Sequence, residues 1–278
     1  MSEAMIEVKN FCKLYDNFVA VDNISFTVHQ GEIFGLLGPN GAGKTSTLES
    51  LEGLRPPNGG TLWVAGVDPA AAPHKLRNLI GVQLQSAGLP ASITAGEAMK
   101  LFCAYHGVAP RFDLLDRLGL TGKRNVEFQG LSTGMQRRLS LALAVAHEPP
   151  VLFLDEPTAG LDVASRVELH NLMRELKEKG TTTILATHDM AEAEEMSDRV
   201  AILLPATHAM NALNGLAMGG TADFYPWGSI LTLFVGGLTA FRLAWYLFRW
   251  DSQSSERRGH PLMALLALLP YAAWLLIV

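Results

Sequence analysis

An α/β fold built around a parallel sheet is the class this sequence predicts, on three observations. An apolar run, Ile33 to Leu37, opens directly into "GPNGAGKT", Gly38 to Thr45. A second run, "VLFLDEPTAGLD", starts at Val151 and closes its apolar part on two adjacent carboxylates, Asp155 and Glu156. A third, "TTTILATH", Thr181 to His188, is a β-branched strand ending in histidine. Ahead of it lies a helix with Leu169, Leu172, Met173 and Leu176 at core-facing spacing. Short apolar strands alternating with amphipathic helices are the pattern of parallel strands covered on both faces.

Taken in chain order, Ile6 and Val8, then Ile24, Phe26 and Val28, alternate with polar residues and predict two half-buried strands of an antiparallel sheet. The run Ile33 to Leu37 is next, followed by the Gly-rich loop and a Pro-free helix expected over Lys44 to Leu54. Strand, Gly-x-x-x-x-Gly-Lys-Thr and helix together are the context a phosphate-binding P-loop requires. Its glycines let backbone N–H groups turn inward, and the helix N-terminus adds its positive dipole end. Lys44 is placed to reach the β- and γ-phosphates of a nucleotide, and the Thr45 hydroxyl to ligate Mg²⁺.

"LSTGMQRRLSLALA", Leu131 to Ala144, is a Ser-Thr-Gly turn capping a helix of Leu and Ala, with Arg137 and Arg138 in its first turns. By itself it predicts only a capped amphipathic helix. Asp155 stands at the carboxyl end of a strand, where ligands gather in open α/β sheets. It is positioned to hold Mg²⁺ through water, with Glu156 polarising the water that attacks the γ-phosphate. A lone histidine at a strand end is usually a polar surface residue. The β-α-β order from the carboxylates to His188 brings its strand beside the other phosphate-site strands, and makes His188 a candidate γ-phosphate sensor.

With 22 basic and 27 acidic residues in 278, the net charge is −5, which excludes nucleic-acid binding through bulk charge. Cys12 and Cys103 have neither metal-site nor disulfide-framework spacing, so a reducing cytosolic compartment is expected. The start, "MSEAMIEVKN", lacks the basic and apolar regions of a signal peptide.

Together these motifs resemble, in kind and order, the nucleotide-binding subunit of an ATP-binding cassette (ABC) transporter, over about residues 5–203. The resemblance implies a P-loop NTPase core with an antiparallel β subdomain and a helical signature subdomain. It implies that Tyr15, in "KLYDNFVAV", stacks on adenine. Gly38, Asn40, Gly41, Gly43, Lys44, Thr45 and the following Ser46 match the Walker A loop. Gln85, closing "IGVQLQ", matches the glutamine that touches Mg²⁺ and senses the membrane partner, so the metal set becomes Thr45, Gln85 and Asp155. "LSTGMQRR" resembles the family signature, usually Leu-Ser-Gly-Gly-Gln. It departs at Thr133 and Met135 but keeps Ser132 and Gly134, which in the family contact the γ-phosphate of the opposing subunit. Asp155 and Glu156 match the Walker B aspartate and catalytic glutamate, Asp162 the D-loop, and His188 the switch histidine. The Thr-and-Met signature and "IGVQLQSAGLP" are similar to the drug and natural-product exporter branch. The resemblance therefore implies ATP and Mg²⁺ as cofactors, a second cassette in a homodimeric sandwich, and membrane permease subunits as partners, with no nucleic acid. Its location would be the cytoplasmic face of the cell membrane, with membrane association expected through the C-terminal tail, and hydrolysis would power export of a drug-like, lipid-like or natural product.

Composition changes near residue 204. From Leu204 to Phe248 the only Asp, Glu, Lys or Arg residues are Asp223 and Arg242, and Pro261 to Val278 has none. Residues 204–227 are expected to be a junction, and 228–278 a tail with hydrophobic helices at about 228–248 and 261–278. The first weakly resembles the last transmembrane helix of an exporter permease, with Trp227, Trp245, Tyr246 and Trp250 near its ends. The same stretch also suits a buried core helix. The strands and helix that close the family's cassette are not matched after "RVAIL", which suits either a natural fusion or a deletion joining two genes. Three functions follow: a transport ATPase, a soluble cassette ATPase working on nucleic acid or ribosomes, and a membrane-tethered module that binds ATP without productive turnover. Paired cassettes or basic extensions would mark the second, and neither occurs.

Overall fold

The structure, a computed structural model, describes residues 4–16, 18–84 and 88–203. Gln85, the junction and the hydrophobic tail expected after residue 203 lie outside the described residues. Among the described residues no helix is long and apolar enough to cross a membrane.

Two sheets form. β1 (Ala4–Tyr15), β2 (Phe18–His29) and β4 (Gly59–Val64) make a three-stranded antiparallel sheet in the order β2-β1-β4. The expected alternation survives in it: Ile6 pairs with Val28 and Val8 with Phe26, and Ile6, Val8 and Val28 are buried. β3 (Ile33–Leu37), β5 (Ile80–Gln83), β6 (Val151–Asp155), β7 (Thr182–Thr187) and β8 (Arg199–Ile202) make an all-parallel sheet in the order β5-β6-β7-β3-β8. Every residue of β3, β6 and β7 is buried, as strands covered on both faces must be.

The first helix, α1 (Lys44–Leu51), packs between the sheets. Leu48 and Leu51 join Ile6, Val28, Leu36, Phe153 and Ile184 in one apolar cluster. It stops at Leu51, short of the expected Leu54. Gly53 takes the left-handed conformation at φ 73°, and the Gly53 and Leu54 N–H groups donate to the Ser50 and Glu49 carbonyls at 3.3 and 2.9 Å. That pair of bonds is a Schellman motif, which satisfies the last carbonyls and turns the chain out of the helix. The short α2 (Pro73–Leu76) leads into β5.

On the other face lie α3 (Ala95–Tyr105), α4 (Phe112–Arg117) and α5 (Thr133–Val145), the helical subdomain. Their Met99, Leu115 and Leu139 are fully buried in a second cluster with Leu152, Leu154 and Leu185 of the sheet. The start of α3 is a capping box, Thr94 with Glu97. Next, α6 (Val163–Glu178) buries Leu169, Leu172, Met173 and Leu176 at the spacing its sequence predicts. α7 (Met190–Met196) precedes β8.

Phe153 sits at 0% exposure in β6, one of the strands that carry the site. Phe153→Ala is expected to cost about 3–5 kcal/mol of stability through lost transfer energy and a residual cavity, read as a lowered urea midpoint. A midpoint within error of the parent would show that this strand is not central to the core.

Candidate active site

The loop Gly38 to Gly43 leaves β3 and feeds α1. Gly41 and Gly43 stand at φ 83° and 87°, where a side chain is strained, and a Cβ on Gly43 would meet the Ala20 carbonyl at 2.5 Å. Only glycine lets the loop lie this close to β2. The Lys44 side chain is buried, and its ammonium donates to the Gly38 and Pro39 carbonyls at 2.7 and 3.1 Å. Those carbonyls hold the charge at the loop that the sequence assigns to phosphate.

Thr45 and Asp155 meet although 110 residues separate them: the Thr45 hydroxyl donates to Asp155 Oδ2 at 2.9 Å. Burial raises the Asp155 carboxyl above its ordinary range, the Thr45 bond lowers it, and neighbouring Glu156 raises it again. A buried acid held against a hydroxyl is a hard-oxygen donor pair, and it fits Mg²⁺. Gln85, the third expected ligand, lies outside the described residues.

Glu156 follows Asp155 in the left-handed region at φ 51°. Its backbone is pinned on both sides: its N–H donates to the Ala186 carbonyl at 2.8 Å, and its carbonyl accepts from Arg137 Nη1 at 3.0 Å. Such a conformation costs of order 1–3 kcal/mol and persists where surrounding bonds impose it. His188, just beyond β7, places Nδ1 2.8 Å from Glu156 Oε1. The Glu156 side chain is 12% exposed and that of His188 54%, so the pair spans from the wall of the cleft to solvent.

A cleft of about 290 Å³ lies beside these parts; Asp155 and His188 stand outside its lining and join it through Thr45 and Glu156. It is lined by Tyr15, Asn40, Gly41, Gly43, Lys44, Thr45, Ser46 and Glu156, together with Phe18 and Ala20. Tyr15 donates its hydroxyl to Ser46 Oγ at 3.3 Å, while Lys13 and Arg55 lie over its ring at 5.2 and 5.5 Å. Phe18 was not singled out from the sequence. It is the cross-strand partner of Tyr15 at the tip of the β1–β2 hairpin, so the register supplies a second aromatic that spacing alone did not show.

Ser132, Gly134 and Asp162 do not line this cleft. Ser132 caps α5, its hydroxyl accepting from the Met135 N–H at 3.3 Å, and stays exposed. Gly134 faces the Gly160 carbonyl, 3.2 Å from where its Cβ would stand. Asp162 caps α6 by accepting from the Ser165 N–H at 2.7 Å, a bond that also lowers its carboxyl, and it is exposed.

The family model described as ABC transporter matches residues 21–159, from β2 through the carboxylates. The chain belongs to the ABC transporter family. Among curated relatives of this ABC chain, the Nod factor export ATP-binding protein I of Sinorhizobium fredii is 42% identical over 208 residues, 73% of this chain and 61% of that protein. The linearmycin resistance ATP-binding protein LnrL of Bacillus subtilis is 36% identical, over 72% of this chain and 66% of its own length. The chain thus spans just under two thirds of these two relatives. A solved ATP-binding subunit of an ABC transporter superposes with TM-score 0.68 at 29% identity, over 72% of this chain and 85% of the other. A bacterial ABC transporter cassette solved as a dimer gives TM-score 0.66 at 26% identity, over 72% and 95%.

Two outcomes test the cleft. Phe18→Ala and Tyr15→Ala are each expected to weaken binding of a fluorescent ATP analogue by about 2- to 10-fold, the worth of one aromatic contact. Asp155→Asn should leave nucleotide binding in EDTA unchanged and remove the gain that Mg²⁺ brings. A Mg²⁺ gain that persists in Asp155→Asn would remove this residue from the metal set.

Proposed function

We propose that this chain is the ATP-binding and hydrolysing subunit of an export system, working at the cytoplasmic face of the membrane with permease partners. One observation carries the reading: a P-loop lysine, a Thr45–Asp155 pair and a Glu156–His188 pair converge on one cleft beside an aromatic hairpin tip. Export is supported by the names of the relatives, a Nod factor export ATP-binding protein and a linearmycin resistance ATP-binding protein. The substrate class proposed is a drug-like, lipid-like or natural product.

In this mechanism Tyr15 and Phe18 hold the adenine, and the loop glycines let backbone N–H groups reach the phosphates. The Lys44 ammonium moves from its carbonyl partners onto the β- and γ-phosphates. Thr45 and Asp155 would hold Mg²⁺, which when bound would supply positive charge against the phosphates. Glu156 accepts a proton from the attacking water, and His188 orients the Glu156 carboxylate while its exposed edge faces the γ-phosphate. Ser132 is exposed and Gly134 half-buried at the head of α5, which suits a role on the nucleotide of a second copy. Asp162 lies at the head of the next helix along the chain. That placement supports a sandwich of two cassettes, as does the dimeric cassette among the structural neighbours.

Glu156→Gln is expected to keep ATP binding, to lower turnover by about 10²- to 10⁴-fold as loss of a general base does, and to accumulate an ATP-dependent dimer in light scattering. Adding Ser132→Arg in that background should abolish the dimer while the monomer still binds ATP. Hydrolysis by Glu156→Gln at the parental rate would sink the assignment of the base, and a persistent dimer in the double variant that of the signature.

A further inference from the structure

The two arginines at the head of α5 part ways. Arg138 turns back into the helical subdomain, its Nη1 donating to the Leu118 carbonyl at 3.1 Å and its Nε to the Gly134 carbonyl at 3.4 Å. Arg137 reaches out of that subdomain, and its Nη1 donates to the Glu156 carbonyl at 3.0 Å. It is half-buried, on a helix whose Leu139 clusters with Leu152 and Leu154 of β6. The same end of α5 closes on the loop after Glu156 at a second point, since a Cβ on Gly134 would stand 3.2 Å from the Gly160 carbonyl.

What Arg137 holds is an unfavourable piece of backbone. Among the residues lining the cleft, Glu156 is the one that carries a side chain in the left-handed region, at φ 51°. Asn10, Asp16 and Asn23 take similar angles elsewhere, as short polar side chains readily do, but a glutamate has no such ease. Its N–H donates to the Ala186 carbonyl at 2.8 Å, and its carbonyl also closes a turn with the Ala159 N–H at 3.2 Å. Those two bonds belong to the sheet and its own loop. Of the three, the Arg137 bond is the one that reaches the turn from the helical subdomain. Because it grips the main chain, it sets the direction of the Glu156 side chain and so the place of its carboxylate.

We propose that Arg137 is a positioning residue for hydrolysis: from the head of α5 it holds the left-handed turn that aims the Glu156 carboxylate at the attacking water. This rests on Glu156 acting as the base. An arginine suits the task because its guanidinium stays charged and donates from a fixed fork at the end of a long stem. Ser132 caps the same helix, so the element that would clasp a second copy's nucleotide also sets the base of its own site.

The test uses the full chain. Arg137→Met keeps the stem and removes the donors; it is expected to lower kcat about 10- to 100-fold with KM for ATP unchanged, as a small misplacement of a reacting group does. Arg137→Lys, which keeps a cationic donor, should recover part of that loss. Position is read directly by labelling glutamate carbonyls with ¹³C and proline nitrogens with ¹⁵N. The sequence has two Glu-Pro bonds, after Glu148 and after Glu156, so two NMR correlations arise. Glu156→Gln identifies its own signal by removing it, and Glu148, also left-handed at φ 52°, is the internal reference. Arg137→Met should shift the Glu156 signal and leave that of Glu148, and the ATP-dependent dimer of the Glu156→Gln background should persist when Arg137→Met is added. Arg137→Gln, too short to reach the carbonyl, takes the same readings should Arg137→Met not fold. Parental kcat, a loss carried by KM, an unmoved Glu156 signal or a lost dimer would each overturn the proposal. If the parent chain has no turnover, or Glu156→Gln retains it, the reading of Glu156 as the base falls and the proposal with it. If Glu156→Gln is inactive and Arg137→Met is unimpaired, the proposal falls alone.

Discussion

The parallel pairing of β7 between β6 and β3 sets the geometry on which the site depends. It aligns the carboxyl ends of three strands, so that the loop after β3, the carboxylates after β6 and the histidine after β7 open toward the same side. The 2.9 Å bond from Thr45 to Asp155 and the 2.8 Å contact from His188 to Glu156 are consequences of that register. A slip of one residue in either pairing would turn each of these side chains into the opposite face of the sheet.

Charge at the site is held by backbone more than by opposing side chains. Lys44 is fixed by two carbonyls of its own loop, and Asp155 by a hydroxyl, while burial keeps its carboxyl up. Glu156 is held in a left-handed turn by Ala186 and Arg137. A buried acid beside a confined ammonium is poised for a ligand that brings both a cation and an anion, which is the chemistry of a metal-bound phosphate.

Helix α1 links this site to a buried acid, Glu52. Its first residues are Lys44 and Thr45 and its C-cap is Glu52, so the two lie at opposite ends of an eight-residue helix, about 12 Å at 1.5 Å per residue. This helix is wedged between the sheets by Leu48 and Leu51. The charge of Asp155, from the sheet, bears on Glu52.

Much of this was legible from residues alone, because the decisive signals are local. A glycine-rich turn before a lysine, two carboxylates at a strand end, and Ser132 ahead of a helix each state their conformation within a few residues, and the structure places each there. The α1 boundary was misjudged for a local reason as well: Gly53 carried the stop signal, but the continuing Leu54 masked it. What the residues could not give was distance. That Phe18 stands across from Tyr15 depends on hairpin register, that Glu52 is buried depends on where α1 ends against β5, and that Ser132 stays out of the phosphate cleft depends on how α5 packs on α3. The sequence by itself determined the chemistry and the order of the elements, because propensity, capping and loop glycines act between near neighbours. The tertiary structure alone decided which of those groups meet, because strand pairing and helix packing join residues more than a hundred positions apart.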